Sequence, residues 1–365
     1  MKLARDLAYE VPVGAADDIV AGLRRALWPR LLLAVLALGV VAVLGLVLGP
    51  TNVALEDTVR VLVSHLPWVD ADAGVSQATQ NIVWDVRLPR VILAGIVGAT
   101  LALTGATYQG VFRNPLADPY LIGVATGAAL GTTVVVVSGA SVSWNGLSLL
   151  PMAAFVGALV SVAVVYGVAR VGNTVPTMTL ILAGVAVSSL STALTTYLMI
   201  KNTTNAGLIF AATLGGFNTA SWVKIAWVLP YVLPAAAVIL VYGRVINVLS
   251  LDEDQARFLG VDVERTKIVL LGVSSLAAAA AVSVGGTIGF VGLIVPHAIR
   301  LVSGPDNRYL LPMSVVVGAA FLIGADLFAR TIDRPAEIPV GIITAFCGVP
   351  FFLYLLRRAR LGAFY

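Results

Sequence analysis

The chain has 365 residues, 59% of them hydrophobic and only 12% charged, with a mean hydropathy of +0.96. A soluble domain carries roughly twice that charged share, and such a composition leaves too little polar surface to face water. It excludes an ordinary soluble enzyme, a disordered tail and a nucleic-acid binder, and it turns the net charge of +4 into a statement about membrane topology. The single cysteine, Cys347, allows no intrachain disulfide, and His65 and His297 are too far apart in sequence to suggest a metal site.

A membrane-crossing helix needs about 20 mostly apolar residues. Ten runs are read in this way, at 31–49, 91–111, 120–138, 149–170, 178–200, 225–243, 268–285, 287–303, 310–329 and 338–356. The prediction is an all-α polytopic membrane protein with ten transmembrane helices. A tail covers 1–30, the membrane domain 31–360 and a short C-terminal tail 361–365. The first tail holds Asp6, Glu10, Asp17 and Asp18, and no small-residue cleavage site follows the first run. That run is therefore read as an anchor, with Trp28 at the interface, rather than a removable signal. Ten spans put both termini on one side. Sixteen Lys and Arg residues then fall on that side and seven on the other, which predicts cytoplasmic termini.

The opposing basic residues include Arg87 and Arg90, in RLPR before span two, and Arg330 and Arg334 after span nine. Two readings stand. They pair locally, Asp326 lying one helical turn before Arg330, or they form an outer patch that docks an acidic protein. Inside the spans Asp326 is the clearest ionisable group. A proton- or sodium-coupled carrier buries several carboxylates or histidines along its path, so their scarcity points to an energy source outside the membrane part. Small residues are abundant. Gly123, Gly127 and Gly131 make two GxxxG steps, and Gly285 and Gly289 another, as in close-packed bundles. Span five carries Ser188, Ser189, Ser191, Thr192, Thr195 and Thr196, a face that either hydrogen-bonds across helices or lines a water-filled path; its density favours the path.

No lysine is followed by Ser or Thr, so there is no Walker phosphate loop, and neither HExxH nor GxSxG occurs. The chain is not expected to be an enzyme. The polar stretch 250–266, SLDEDQARFLGVDVERT, opens on Asp252, Glu253 and Asp254, favourable at a helix start, and turns at Gly260. It predicts a short helix, a glycine turn and a second short helix along the membrane surface, available to a cytoplasmic motor.

These residues together resemble the FecCD-type permeases of type II ABC importers. RLPR at 87–90, RNPLADPYLIGVATGAALG at 113–131, LAGVAVS at 182–188, QARFLG at 255–260 and GFVGLIVPHAIR at 289–300 carry the resemblance. AD at 325–326, Arg330 and EIPVGIITAFCGVPFF at 337–352 complete it. It covers about residues 31–360. It implies two permease subunits around a central path, two ATPase subunits holding ATP and Mg, and an extracytoplasmic binding protein, in a bacterial or archaeal cell membrane. No cofactor or metal is implied for this chain. By the resemblance, Arg87, Arg90 and Arg330 dock the binding protein. Gln255, Ala256, Arg257, Leu259 and Gly260 form the ATPase coupling segment. Asn114, Leu116, Thr177 and Met178 form the gate, where Met178 is bulkier than the small polar residue usual there. Ser188, Ser191, Thr192 and Thr195 line the path, and the PH pair, Pro296 and His297, is a helix break with a satisfied imidazole. The implied cargo is a metal chelate, an iron(III)-siderophore first, with cobalamin or haem as alternatives. Outside the family, the competing reading is an ion-coupled secondary carrier.

Overall fold

A computed structural model describes residues 15–51, 53–66, 74–140, 143–144, 147–172, 174–251, 253–334 and 336–362. The chain order is α1 (Ala15–Val47), α2 (Leu55–Ser64), α3 (Gln77–Asn81), α4 (Leu88–Val111), α5 (Val124–Ser138), α6 (Leu149–Ala169), α7 (Thr177–Lys201) and α8 (Ala206–Thr213). There follow α9 (Trp222–Val241), α10 (Gly243–Leu249), α11 (Glu253–Phe258), α12 (Val263–Gly285), α13 (Val291–Ser303), α14 (Asn307–Ala329) and α15 (Val340–Gly362). A π-helical stretch at Ile82–Arg87 joins α3 to α4, and a two-residue-per-strand hairpin, Ser143–Trp144 with Leu147–Ser148, joins α5 to α6.

Seven helical stretches are long and apolar enough to cross a membrane, and α5, α13 and the apolar part of α15 are shorter. All ten expected positions therefore hold apolar helices, of which three fall short of a full crossing. α1 begins well before the expected tail boundary at residue 30. The acids Asp6 and Glu10 and residues 363–365 of the C-terminal tail lie outside the described residues.

α4 is the hub. Its apolar stretch is 78% buried, against 11% for α1 and 22% for α7, and it packs on α14, α12, α13 and α9. In lipid no hydrophobic drive holds helices together, so close van der Waals contact has to. Gly98 of α4 meets the backbone of Gly318 on α14 so closely that a Cβ on either would overlap the other's carbonyl. Gly127 and Gly131 of α5 sit in the same way on Gly157 and Ala153 of α6. The second expected glycine step fails. Gly285 ends α12, and Gly289 lies in the following turn with nothing near it.

The short helices have one cause. Gly285 packs on Val97 of α4 and Gly292 on Leu101, so the turn between α12 and α13 lies midway along α4. The segment after α4 climbs back to this level through a 3-10 turn at Pro119–Ile122 before α5 starts. Non-helical backbone is tolerated at membrane depth only when protein groups pair it. Tyr120 does this: its hydroxyl donates to the Ile288 carbonyl (2.9 Å) and accepts from the Ile288 N–H (3.0 Å). Asp118 accepts from the Tyr120 N–H (2.8 Å), closing the 3-10 turn. Pro296 sits inside α13 without ending it, and His297 Nδ1 has no hydrogen-bond partner among the described residues. The expected helix break is instead at 286–290, where Phe290 takes a left-handed φ of 69°.

Tyr120→Phe removes the hydroxyl and strands both backbone groups of Ile288. The expected loss is about 1–3 kcal/mol of stability, read as a lower melting temperature of the purified protein in detergent, with Tyr120→Trp failing to restore it.

Candidate functional site

Besides the expected gate, three regions carry the expected functional residues. The first is the end of the molecule where α1 finishes and α4 starts. Arg87, Arg90 and Arg330 are only 3%, 7% and 2% exposed, so the expected exposed patch is corrected to a buried network. Arg87 donates to the carbonyls of Leu46 (2.7 Å) and Val47 (2.6 Å) and to that of Thr51. Arg330 donates to the Gly45 carbonyl. Two guanidinium groups thus cap the C-terminus of α1, where four carbonyls lack helical partners and the helix dipole is negative.

Arg90 is clamped from two sides. Its Nε and Nη2 reach Asp326 (3.0 and 2.9 Å), and its Nη1 and Nη2 reach Glu337 (3.0 Å each). Arg330 Nε lies 3.5 Å from Asp326, the one-turn pairing that its spacing suggested. Arg90 and Arg330 share Asp326, Arg90 also holds Glu337, and Arg87 rests on the α1-end carbonyls and Thr51 instead of a carboxylate. Burial is affordable only because every charge has such a partner. The sequence reading missed Glu337 in this network; its position just before span ten held no signal of contact with Arg90.

The second region is α7. Ser188, Ser189 and Thr192, with Tyr120, Leu121 and Val185, line an open groove of about 590 Å³. Two expected path residues lie elsewhere. Ser191 is buried, turned away from the groove, and the Thr195 hydroxyl is held by the Ser191 carbonyl (2.8 Å). A helix has only one face per 3.6 residues, so six hydroxyl residues in nine cannot share a single side. Tyr120 and Leu121 enter the groove from the re-entrant segment, a contribution no local pattern announced. Outside the groove α7 bares Leu182, Leu190, Leu194, Tyr197 and Ile200.

The expected gate residues lie at the opposite end from the arginines. Asn114 Oδ1 accepts from the Leu116 N–H (3.0 Å), locking a turn, while Arg113, at a φ of 50°, donates to the Leu249 carbonyl (2.7 Å). Thr177 is half-buried at the start of α7, and Met178 is 70% exposed on its bare face.

The third region is the coupling segment. α11 is a single short helix, and the expected second short helix is instead the first turn of the long α12, capped by Asp262 accepting from Arg265 N–H (3.0 Å). Asp252 lies outside the described residues. Ala256 is fully buried and anchors the segment, whereas Gln255, Arg257, Leu259 and Gly260 are exposed. Gly260 has φ 81° and donates to the Arg257 carbonyl, and Val261 to that of Ala256, the pattern that ends a helix on a left-handed residue. Phe258, 91% exposed, was not among the expected residues. Beside this segment, burial pushes the Asp306 pKa up, but hydrogen bonds from Arg308 and Asn247 outweigh it and hold it below the ordinary carboxylate range. Among the described residues no cluster of His, Cys, Asp or Glu could hold a metal ion.

A many-helix bundle with seven helices of membrane-crossing length and three shorter apolar ones defines a polytopic membrane protein. The profile of the FecCD transport family matches residues 34–358, and the chain belongs to this family of ABC-importer permeases. It is 42% identical to the cobalamin import permease of Halobacterium salinarum, covering 99% of this chain and 98% of that one. It is 37% identical to the hemin transport permease of Yersinia pestis, covering 91% and 97%. Among solved structures it resembles an inward-facing ABC transporter assigned to the metal-chelate type, with a TM-score of 0.77 and 32% identity over 90% of this chain and 99% of that one.

Arg90→Ala would leave Asp326 buried with an incomplete set of partners, at an expected cost of about 3–5 kcal/mol. Arg90→Lys keeps a positive charge beside Asp326 but not the fork that also holds Glu337, and is expected to recover only part of it. The check is thermal unfolding of the two variants beside the parent chain.

Proposed function

We propose that this chain is one of two permease subunits of an ATP-driven importer and carries a large metal chelate along a path completed by a second copy or close paralogue. The observation that carries this reading is α7. Its membrane-length apolar stretch is only 22% buried, yet it bears a hydroxyl-lined groove. Lipid does not solvate Ser188, Ser189 and Thr192, so a facing subunit supplies the other wall. Met178, bare on the same helix, meets its counterpart there as the gate, with Asn114, Leu116 and Thr177 around it. The groove lining is uncharged, which suits a bulky chelate gripped mainly by its binding protein.

ATP is hydrolysed by separate subunits that dock on α11. Ala256 fastens the segment to the bundle while Phe258 and Leu259 project as apolar knobs, the kind of anchor that fills a partner's cleft. Binding of ATP favours one arrangement of the ATPase pair, and that preference is what shifts the permease between its two states. The acidic binding protein docks at the arginine end, where exposed Arg334 stands over the surplus positive charge of Arg87, Arg90 and Arg330. Both termini lie in the cytoplasm of the cell. Among the chelates, cobalamin comes first, because the relative matched over 99% of this chain imports it. The sequence expectation of an iron(III)-siderophore has no residue behind it and is the second reading, followed by haem.

The test is uptake by cells that carry this chain with its cognate ATPase and binding protein. ATP-dependent accumulation of cobalamin is expected. Uptake of a ferric hydroxamate instead would change the cargo and keep the permease, whereas uptake without any ATPase would reject the reading and favour an ion-coupled carrier. Phe258→Asp is expected to weaken association with the ATPase by about tenfold or more while leaving the isolated permease folded.

A further inference from the structure

We propose that α2 is an interfacial helix, with one flank seated in the headgroup–acyl boundary of the bilayer at the arginine end of the molecule. Its surface divides three ways. Thr58 and Val61 are buried and Leu62 half-buried, toward a small apolar cluster with Val53, Val83 and Trp84. Leu55, Val59 and Val63 form a second flank at four-residue spacing, continued by Leu66 just past the helix end, and all four are exposed. Glu56 and Arg60, paired one turn apart, occupy the third with Asp57 and Ser64. One flank thus meets protein, one is apolar and bare, and one suits water. Amphipathic helices that lie in a membrane surface have this division.

The occupant of the bare flank follows from what adjoins it. Seven residues after α1 the chain enters α2, and α1 bares Leu36, Val40, Val43 and Leu44, with Leu48 exposed just past its end, so both helices present apolar side chains outward at this end of the molecule. α1 packs on α14 and α4, whereas α7, the face left for a second copy, packs on α5 and α6. Aromatic rings gather beside α2. His65 stacks on Trp84 at 3.8 Å, Trp84 lies 5.4 Å from Trp222, and the Trp222 indole donates to the Trp84 carbonyl (3.2 Å). Rings with a polar edge are enriched at this depth of a bilayer. The inference does not depend on which chelate is carried.

The test uses the full chain with the exposed Cys347 replaced, Cys347→Ser, and a single new thiol, Val59→Cys or Arg60→Cys, carrying a nitroxide in lipid vesicles. Collision rates with oxygen and with a neutral nickel chelate equilibrated across the vesicle are measured. The oxygen-to-nickel ratio is expected to be several-fold higher at position 59 than at position 60. Equal ratios overturn the proposal. So does spin–spin broadening between copies at position 59, which would assign the flank to a second subunit. Nickel access at position 59 that is lost only on adding the binding protein would assign it to that partner and overturn the proposal as well. Leu55→Cys, on the same flank, serves if the Val59 variant does not insert.

Discussion

Within a bilayer, no water can satisfy a peptide group, so every non-helical residue at membrane depth needs a protein partner. This constraint organises the interior. The turn after α12 is held by Tyr120 from the opposite re-entrant segment, and its Gly285 carbonyl accepts from the Gly216 N–H (2.9 Å). The segment after α8 in turn offers the Gly215 carbonyl to Val340, where α15 begins (3.2 Å). Three breaks in the helical pattern therefore meet and pair with one another around α4. Each would be untenable if exposed alone to lipid, and together they create the places where helices start in mid-membrane and where Tyr120 enters the α7 groove.

The same accounting explains the arginines. Two of them end α1 by taking its terminal carbonyls, and the third holds α14 and the start of α15 through Asp326 and Glu337. The connection between spans is charged because helix ends are electrostatically incomplete, not only because a partner waits outside. A docking role is compatible with this arrangement when it acts through the field of the surplus charge and through Arg334 at the surface. It is not carried by three freely projecting guanidinium groups.

The open surfaces divide the outside of the molecule by chemistry. α7 combines a hydroxyl-lined groove with a bare apolar face, the surface proposed for a partner subunit. α11 presents aromatic and aliphatic knobs at the end where an ATPase would bind. α1 and the bare flank of α2 are exposed and apolar, the surfaces proposed for lipid. Function in a permease of this family thus sits on surfaces that one chain leaves unfinished, while its core serves to hold them apart at fixed distances.

Much of this was legible in sequence because hydropathy and glycine spacing are local properties. The ten apolar segments, the close-packing glycines Gly127 and Gly131 and the helix–glycine turn at Gln255–Gly260 follow from runs and intervals that each segment carries in itself, while the α6 partner of those glycines came only with the fold. The exposure of Arg87, Arg90 and Arg330, the inward turn of Ser191, the shortening of α5 and α13 and the entry of Glu337 into the charge network were decided only on folding. Each depends on which distant segment arrives alongside: Asp326 and Glu337 are more than two hundred residues from Arg90, and Tyr120 meets Ile288 across a similar gap. A local pattern states what a residue requires, a partner for a charge or a cover for a peptide group, and the packing of the bundle around α4 determines which residue meets that requirement.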